Sequence, residues 1–152
     1  MGVSQDALWC LSNLAIIRTP GSATGGRLCV VEVHGGAGDT VPFHRHRLED
    51  EVFVVLDGHM TILQPGRAIE APAGSSVLAA RGVPHTYRVS DEGPARWLVI
   101  GAPAGFDAFL AAIGEPARAL TLPMGTAPPD PEKLAAIAAR FGIELLPGDE
   151  GG

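Results

Sequence analysis

The chain has no basic block. Asp and Glu number 17 against 11 Lys plus Arg, for a formal net charge of −6. Without clustered cations a chain cannot track a phosphate backbone, so nucleic acid is not expected as a partner. Aromatic residues make up 5% of the chain and are scattered, which removes the stacked-base platform too. No run of about 18 apolar residues occurs, so no helical membrane span is expected. The start, MGVSQDALWC, lacks a basic stretch followed by an apolar one, and Asp6 stands where a myristoylation signal needs Ser or Thr. A cytoplasmic location is expected. Only two cysteines are present, Cys10 and Cys29, and both read as reduced thiols there. The glycines at 35, 36 and 38 lack the spacing of a phosphate loop, and no helix follows them.

What is present is a train of short β stretches. Residues 27–33, 52–56, 59–63, a short piece around Ile69, 76–79, 85–89 and 96–100 are rich in β-branched and apolar residues, with Gly and Pro in every interval. Asp57-Gly58 is a hairpin turn signal. No helix of ten or more residues separates these strands, which rules out a parallel α/β sheet. The pattern is all-β, an antiparallel sandwich or small barrel. The 152 residues divide into N-terminal edge strands and arm (1–26), a barrel (27–104) and a helical extension (105–152). One core of this size folds without a metal or disulfide, so any metal would serve function.

Two helices are expected in the last third. Phe106, Phe109, Leu110 and Ile113 fall on one face of the first. Asp130 caps the second, Pro131 opens it and Gly142 stops it. Both are expected to pad the outside of the sheet or a neighbouring subunit. The tail GDEGG reads as frayed.

The chemistry concentrates in GDTVPFHRHRLEDEVFVVLDG, residues 38–58. His44 and His46 are two apart, so on an extended strand both imidazoles point to one side. Glu51 opens the next extended run and shares its parity with Phe53 and Val55. It therefore stands at the rim of an apolar pocket, where an unpaired carboxylate is costly and a divalent cation removes the cost. His85 follows Pro84, which biases Val83 to an extended conformation, and completes a set of three histidines and one glutamate. Such a set leaves coordination positions open for catalysis and accepts Fe, Mn, Ni or Zn. Tyr87 shares the parity of His85; it is a hydrogen-bond donor near the metal, a substrate contact or a plain core aromatic. Arg45 and Arg47 alternate away from the metal and are expected to solvate the strand face or to pair with Glu49 and Asp50, both read as turn residues. His59 reads as a surface residue.

Taken together these residues resemble the cupin superfamily. Gly38, His44, His46, Glu51 and Gly58 satisfy every position of its first motif. Gly74, Gly82 and His85 match the second, with Ala80 in place of its proline and Val89 in place of its asparagine. The resemblance covers about residues 27–100. It implies a jelly-roll barrel with the metal held by His44, His46, Glu51 and His85, and homodimers built by sheet extension, with Trp9–Ile17 as the added edge. The flanking strings, among them RGVPHTYRV and APAGFDAFLAAIG, look like single-domain quercetin-dioxygenase-like cupins. That likeness implies a metal-dependent dioxygenase for a small phenolic or enolic substrate, with dioxygen as co-substrate and Glu51 as ligand and base. Phe53, Val55 and Tyr87 would line its pocket. A non-oxidative cyclase or isomerase using the same site is the alternative, and a non-catalytic small-molecule-binding cupin the third reading.

Overall fold

The computed structural model describes residues 6–125 and 129–147. The expected fraying of GDEGG falls on residues 148–152, outside the described residues. In chain order the strands are β1 (Ala7–Cys10), β2 (Asn13–Thr19), β3 (Cys29–Gly35), β4 (His44–His46), β5 (Asp50–Asp57), β6 (His59–Gln64), β7 (Arg67–Pro72), β8 (Ser76–Ala79), β9 (Thr86–Val89) and β10 (Ala95–Ala102). Helix α1 (Phe106–Ile113), β11 (Glu115–Pro116), α2 (Pro131–Arg140) and β12 (Ile143–Leu145) follow. The strands form a seven-stranded sheet in the order β11-β1-β2-β3-β10-β5-β8, a three-stranded sheet β7-β6-β9 and the pair β12-β4. All pairings are antiparallel. The architecture is a jelly-roll β fold, in keeping with the antiparallel sandwich or small barrel that the strand train predicts.

Period-two alternation sets what faces the core. On β5, Glu51, Phe53 and Val55 are buried while Val52, Val54 and Leu56 are less so. The same register puts Phe53 beside Val99 and Val55 beside Trp97 of β10, and Val99 and Trp97 beside Val31 and Val33 of β3. The facing sheet contributes Met60, Ile62, Tyr87 and Val89 to the same core. Each such large side chain stabilises the fold by roughly 1.5–3 kcal/mol on burial. Gly58 makes the turn from β5 to β6 with φ 83, a conformation open to glycine, and a Cβ there would lie 2.5 Å from the carbonyl oxygen of Pro94.

Two expectations change. The segment expected to extend a partner's sheet pairs within its own chain: β2 lies against β3, and β1 is covered on its outer side by β11. The helices are not outer padding. Both form as predicted, and Asp130 accepts hydrogen bonds from the backbone N–H groups of Glu132 and Lys133 at 3.0 and 3.5 Å. Their apolar stripes, however, face the interior of the barrel, with Phe109, Leu110 and Leu134 buried in its core. Gly142 (φ 73) stops α2, as predicted. It turns α2 into β12, which runs antiparallel to β4 with Ile143 opposite His46 and Leu145 opposite His44. No helix among the described residues is long and apolar enough to cross a membrane.

Candidate metal centre

The two histidines of β4 hold one side of that strand, as their spacing requires. Strand β12 pairs along β4, and two further contacts flank the pairing: Arg47 N–H donates to the Gly142 carbonyl at 2.9 Å and Leu146 N–H to that of Phe43 at 2.8 Å. A two-way bridge joins His44 and His85, N–H to carbonyl at 3.1 and 2.8 Å, and Gly82 N–H donates to the His46 carbonyl at 2.7 Å. Backbone pairing therefore brings the second histidine segment against the first. Glu51 arrives from β5. One ligand-type atom from each of His44, His46, Glu51 and His85 lies within 4.8 Å of every other.

Each imidazole is oriented from behind. His44 Nδ1 is 2.8 Å from the Pro42 carbonyl, His85 Nδ1 is 3.3 Å from that of Val83, and His46 Nδ1 is 2.6 Å from Glu49 Oε1. An Nδ1–H donated in this way leaves Nε2 as the free donor atom. His46 Nε2, His85 Nε2 and Glu51 Oε2 are buried and none makes a hydrogen bond of good geometry, although the two nitrogens lie 3.1 and 3.5 Å from Glu51 Oε1. Three orphaned polar atoms in one buried spot are costly. Three imidazole nitrogens and a carboxylate around one point are the donor set of a divalent transition metal, and such an ion would satisfy the orphans together. The residues fit the group.

The electrostatics agree. Burial, with His85 and His46 nearby, pulls the His44 pKa down to about 3, so its imidazole is neutral. Burial also opposes a charge on His46, but Glu51 and then Glu49 outweigh it and its pKa rises. Burial likewise opposes a charge on Glu51; His46, His85 and His44 outweigh it and its pKa falls. A proton and a metal ion thus compete for His46 Nε2.

The donor atoms open onto an apolar cavity of about 90 Å³. His44, His46 and Glu51 stand in its wall with Phe53 and Tyr87. His85 stands behind, its ring 5.7 Å from that of Phe53. Val55 is buried in the core and does not line the cavity. Tyr87 donates its hydroxyl toward Asp39 Oδ2 (2.9 Å) and Asn13 Oδ1 (3.1 Å). Burial, then the Asp39 charge, raises its pKa well above the usual value, so it stays a donor.

Comparison with known proteins agrees with this arrangement. The cupin domain family matches residues 29–101. The quercetin 2,3-dioxygenase of Bacillus subtilis (strain 168) is 32% identical over 77 residues, 51% of this chain and 23% of that protein. This chain thus spans less than a quarter of the length of that relative. The structure of KdgF from Halomonas sp. superposes with a TM-score of 0.57 at 16% identity, over 64% of this chain and 84% of that one. The polyketide cyclase RemF from Streptomyces resistomycificus does so with a TM-score of 0.57 at 19% identity, over 82% and 87%. At these identities the structural likeness is one of fold. Residues 29–101 are a cupin domain.

This cupin-domain protein departs from the sequence reading around the site. Glu49 is not a turn residue in solvent: it is 3% exposed and bound to His46. Asp50 opens β5, and its carboxylate accepts from Arg81 N–H at 2.8 Å. Arg45 and Arg47 do point away from the centre, but their partner is Glu144 of β12, at 2.8 and 2.7 Å. His59 is at the surface, 2.5 Å from Glu70. Phe106, Phe109, Leu110, Ile113 and Leu134 roof the cavity, a role their helical spacing alone does not show. Cys10 and Cys29 are free and buried, and burial drives the Cys10 thiol up to about 12.

Proposed function

We propose that this cupin-domain protein is a metal-dependent dioxygenase acting on a small phenol or enol. The observation that carries the reading is the cluster of His44, His46, Glu51 and His85 beside a roofed, apolar cavity. His44, His46, Glu51 and His85 would hold an Fe, Mn, Ni or Zn ion, which supplies Lewis acidity and, where redox-active, electron relay to dioxygen. Glu51 Oε2, orphaned in the protein, is the atom that accepts the substrate hydroxyl proton. Phe53 and Tyr87 on the barrel side and Phe106 and Phe109 on the roof clamp a flat ring and exclude water. At about 90 Å³ the cavity is far below the ~300–1,000 Å³ of typical ligand pockets, which favours a single-ring or short enolic substrate over a full flavonol. Both atoms of dioxygen end in the product, so no external reductant is required. The barrel's similarity to a quercetin 2,3-dioxygenase supports the chemistry.

The test is turnover of a panel of small phenols and enols by metal-reconstituted protein, with and without air. Oxygen uptake and a product heavier by two oxygen atoms are expected. Unchanged turnover without oxygen would replace this reading with the second, a non-oxidative cyclase or isomerase. The roofed, apolar cavity supports that second reading, since it folds a chain away from water. We also propose that the protein works as a cytoplasmic homodimer. The uncovered edge strand β8, with Leu78 56% exposed, supports the dimer, and light scattering tests it.

A further inference from the structure

Of the three imidazoles, His46 alone is backed by a charged group. His44 and His85 lean on main-chain carbonyls, while His46 Nδ1 meets Glu49 Oε1 at 2.6 Å. Both partners are almost fully enclosed, at 2% and 3% exposure. A carboxylate at that depth is expensive unless something answers its charge. The chain also makes room for it. Gly105 caps α1, and a Cβ there would lie 3.3 Å from Glu49 Oε2, tighter than most real contacts. The roof helix therefore begins directly on the Glu49 carboxylate.

We propose that Glu49 is a positioning residue that sets the metal affinity of the site through His46. By accepting Nδ1–H it fixes the ring plane and keeps Nε2 the donor. Its negative charge makes that nitrogen a stronger one. It also balances charge. The Glu49 and Glu51 carboxylates together match the two positive charges of a divalent ion. Glu49 touches no reacting atom, because His46 stands between it and the cavity. The inference rests on the reading of His44, His46, Glu51 and His85 as the ligand set.

The experiment compares metal-free wild type, Glu49→Ala and Glu49→Gln in Zn(II) titrations against a chelator. Melting of the metal-free proteins and the visible spectrum of the Co(II)-loaded forms are followed in parallel. Glu49→Ala should bind Zn(II) about 10–100-fold more weakly. Glu49→Gln, whose amide oxygen still accepts from Nδ1–H, should fall between the two. The Co(II) bands should shift in both variants. A variant that melts lower yet binds Zn(II) like wild type, with an unchanged Co(II) spectrum, would show a merely structural role and overturn the proposal. If Glu49→Ala does not fold, Glu49→Gln decides alone: weakened binding supports the proposal and equal binding overturns it. Wild type that takes up no Zn(II) or Co(II) would overturn the ligand set itself, and this inference with it.

Discussion

Strand β5 and helix α1 both reach the same cavity, β5 with Glu51 and Phe53, α1 with Phe106, Phe109, Leu110 and Ile113. They are held there differently. β5 is hydrogen-bonded on both sides, to β10 and β8, so its register fixes each side chain's depth. α1 has eight residues, too few to be stable alone, and its place comes from burying Phe109 and Leu110. The wall is a backbone lattice and the roof is a set of side-chain contacts. Ligand geometry belongs to the wall. Access belongs to the roof, which should open at lower free energy than the barrel unfolds.

The sharpest way to break that division is to remove a wall ligand. His46→Ala should lose metal affinity by more than the ~10–100-fold expected for a residue behind a ligand. It should leave the barrel folded, because the backbone pairing of β4 does not use the imidazole. Metal analysis and circular dichroism check both halves. Retained metal would move the centre elsewhere.

A pair of truncations tests the two scaffolds with the same side chain. Phe53→Ala should cost about 3 kcal/mol of global stability, read by urea unfolding. Phe109→Ala should cost less globally, and should speed amide exchange in α1 while β5 stays protected. Equal exchange in the two elements would mean that roof and wall open as one unit.

The wall was legible because its logic is local. The H-x-H spacing fixes two imidazoles on one face, and the parity of Glu51 with Phe53 points a carboxylate at an apolar space. Val55 obeys the same parity and is buried, but whether a buried residue also borders the cavity depends on what packs opposite. The roof was only half legible. The stripe from Phe106 to Ile113 predicts the helix and its buried face, yet nothing local says whether that face covers the sheet's outside or its mouth. Strand β12 is three residues long, and its partner is the ligand strand about a hundred residues earlier in the chain. No short-range pattern carries such a pairing. Glu49 was missed for a related reason. An acid between two strands reads as a solvated turn residue, and only the fold shows that His46 and Gly105 enclose it.

A smaller effect should come from the cap of the second roof helix. Asp130→Ala removes the acceptor for two N–H groups at the start of α2 and should cost about 1 kcal/mol. Because α2 leads directly into β12, exchange should rise at Ile143–Leu145 as well as in the helix. Faster exchange confined to α2 would uncouple the helix from the strand that braces β4.

The smallest effect lies at the seam between the two regions, where Glu144 of β12 meets Arg45 of β4 and Arg47 just after that strand. Hydrogen bonds from Arg47 and then Arg45 hold the Glu144 pKa below its ordinary value. A carboxyl depressed by folding adds stability above its unfolded pKa of about 4.3 and loses it as pH falls through the lower folded value. Wild type should therefore unfold at a slightly higher urea midpoint than Glu144→Gln near neutral pH. The two should converge as the solution is acidified past the glutamate range. The pair is exposed and screened, so the gap should also narrow in high salt. A gap that persists in acid would place the stabilisation in the β4–β12 backbone pairing, with the charges adding nothing to it.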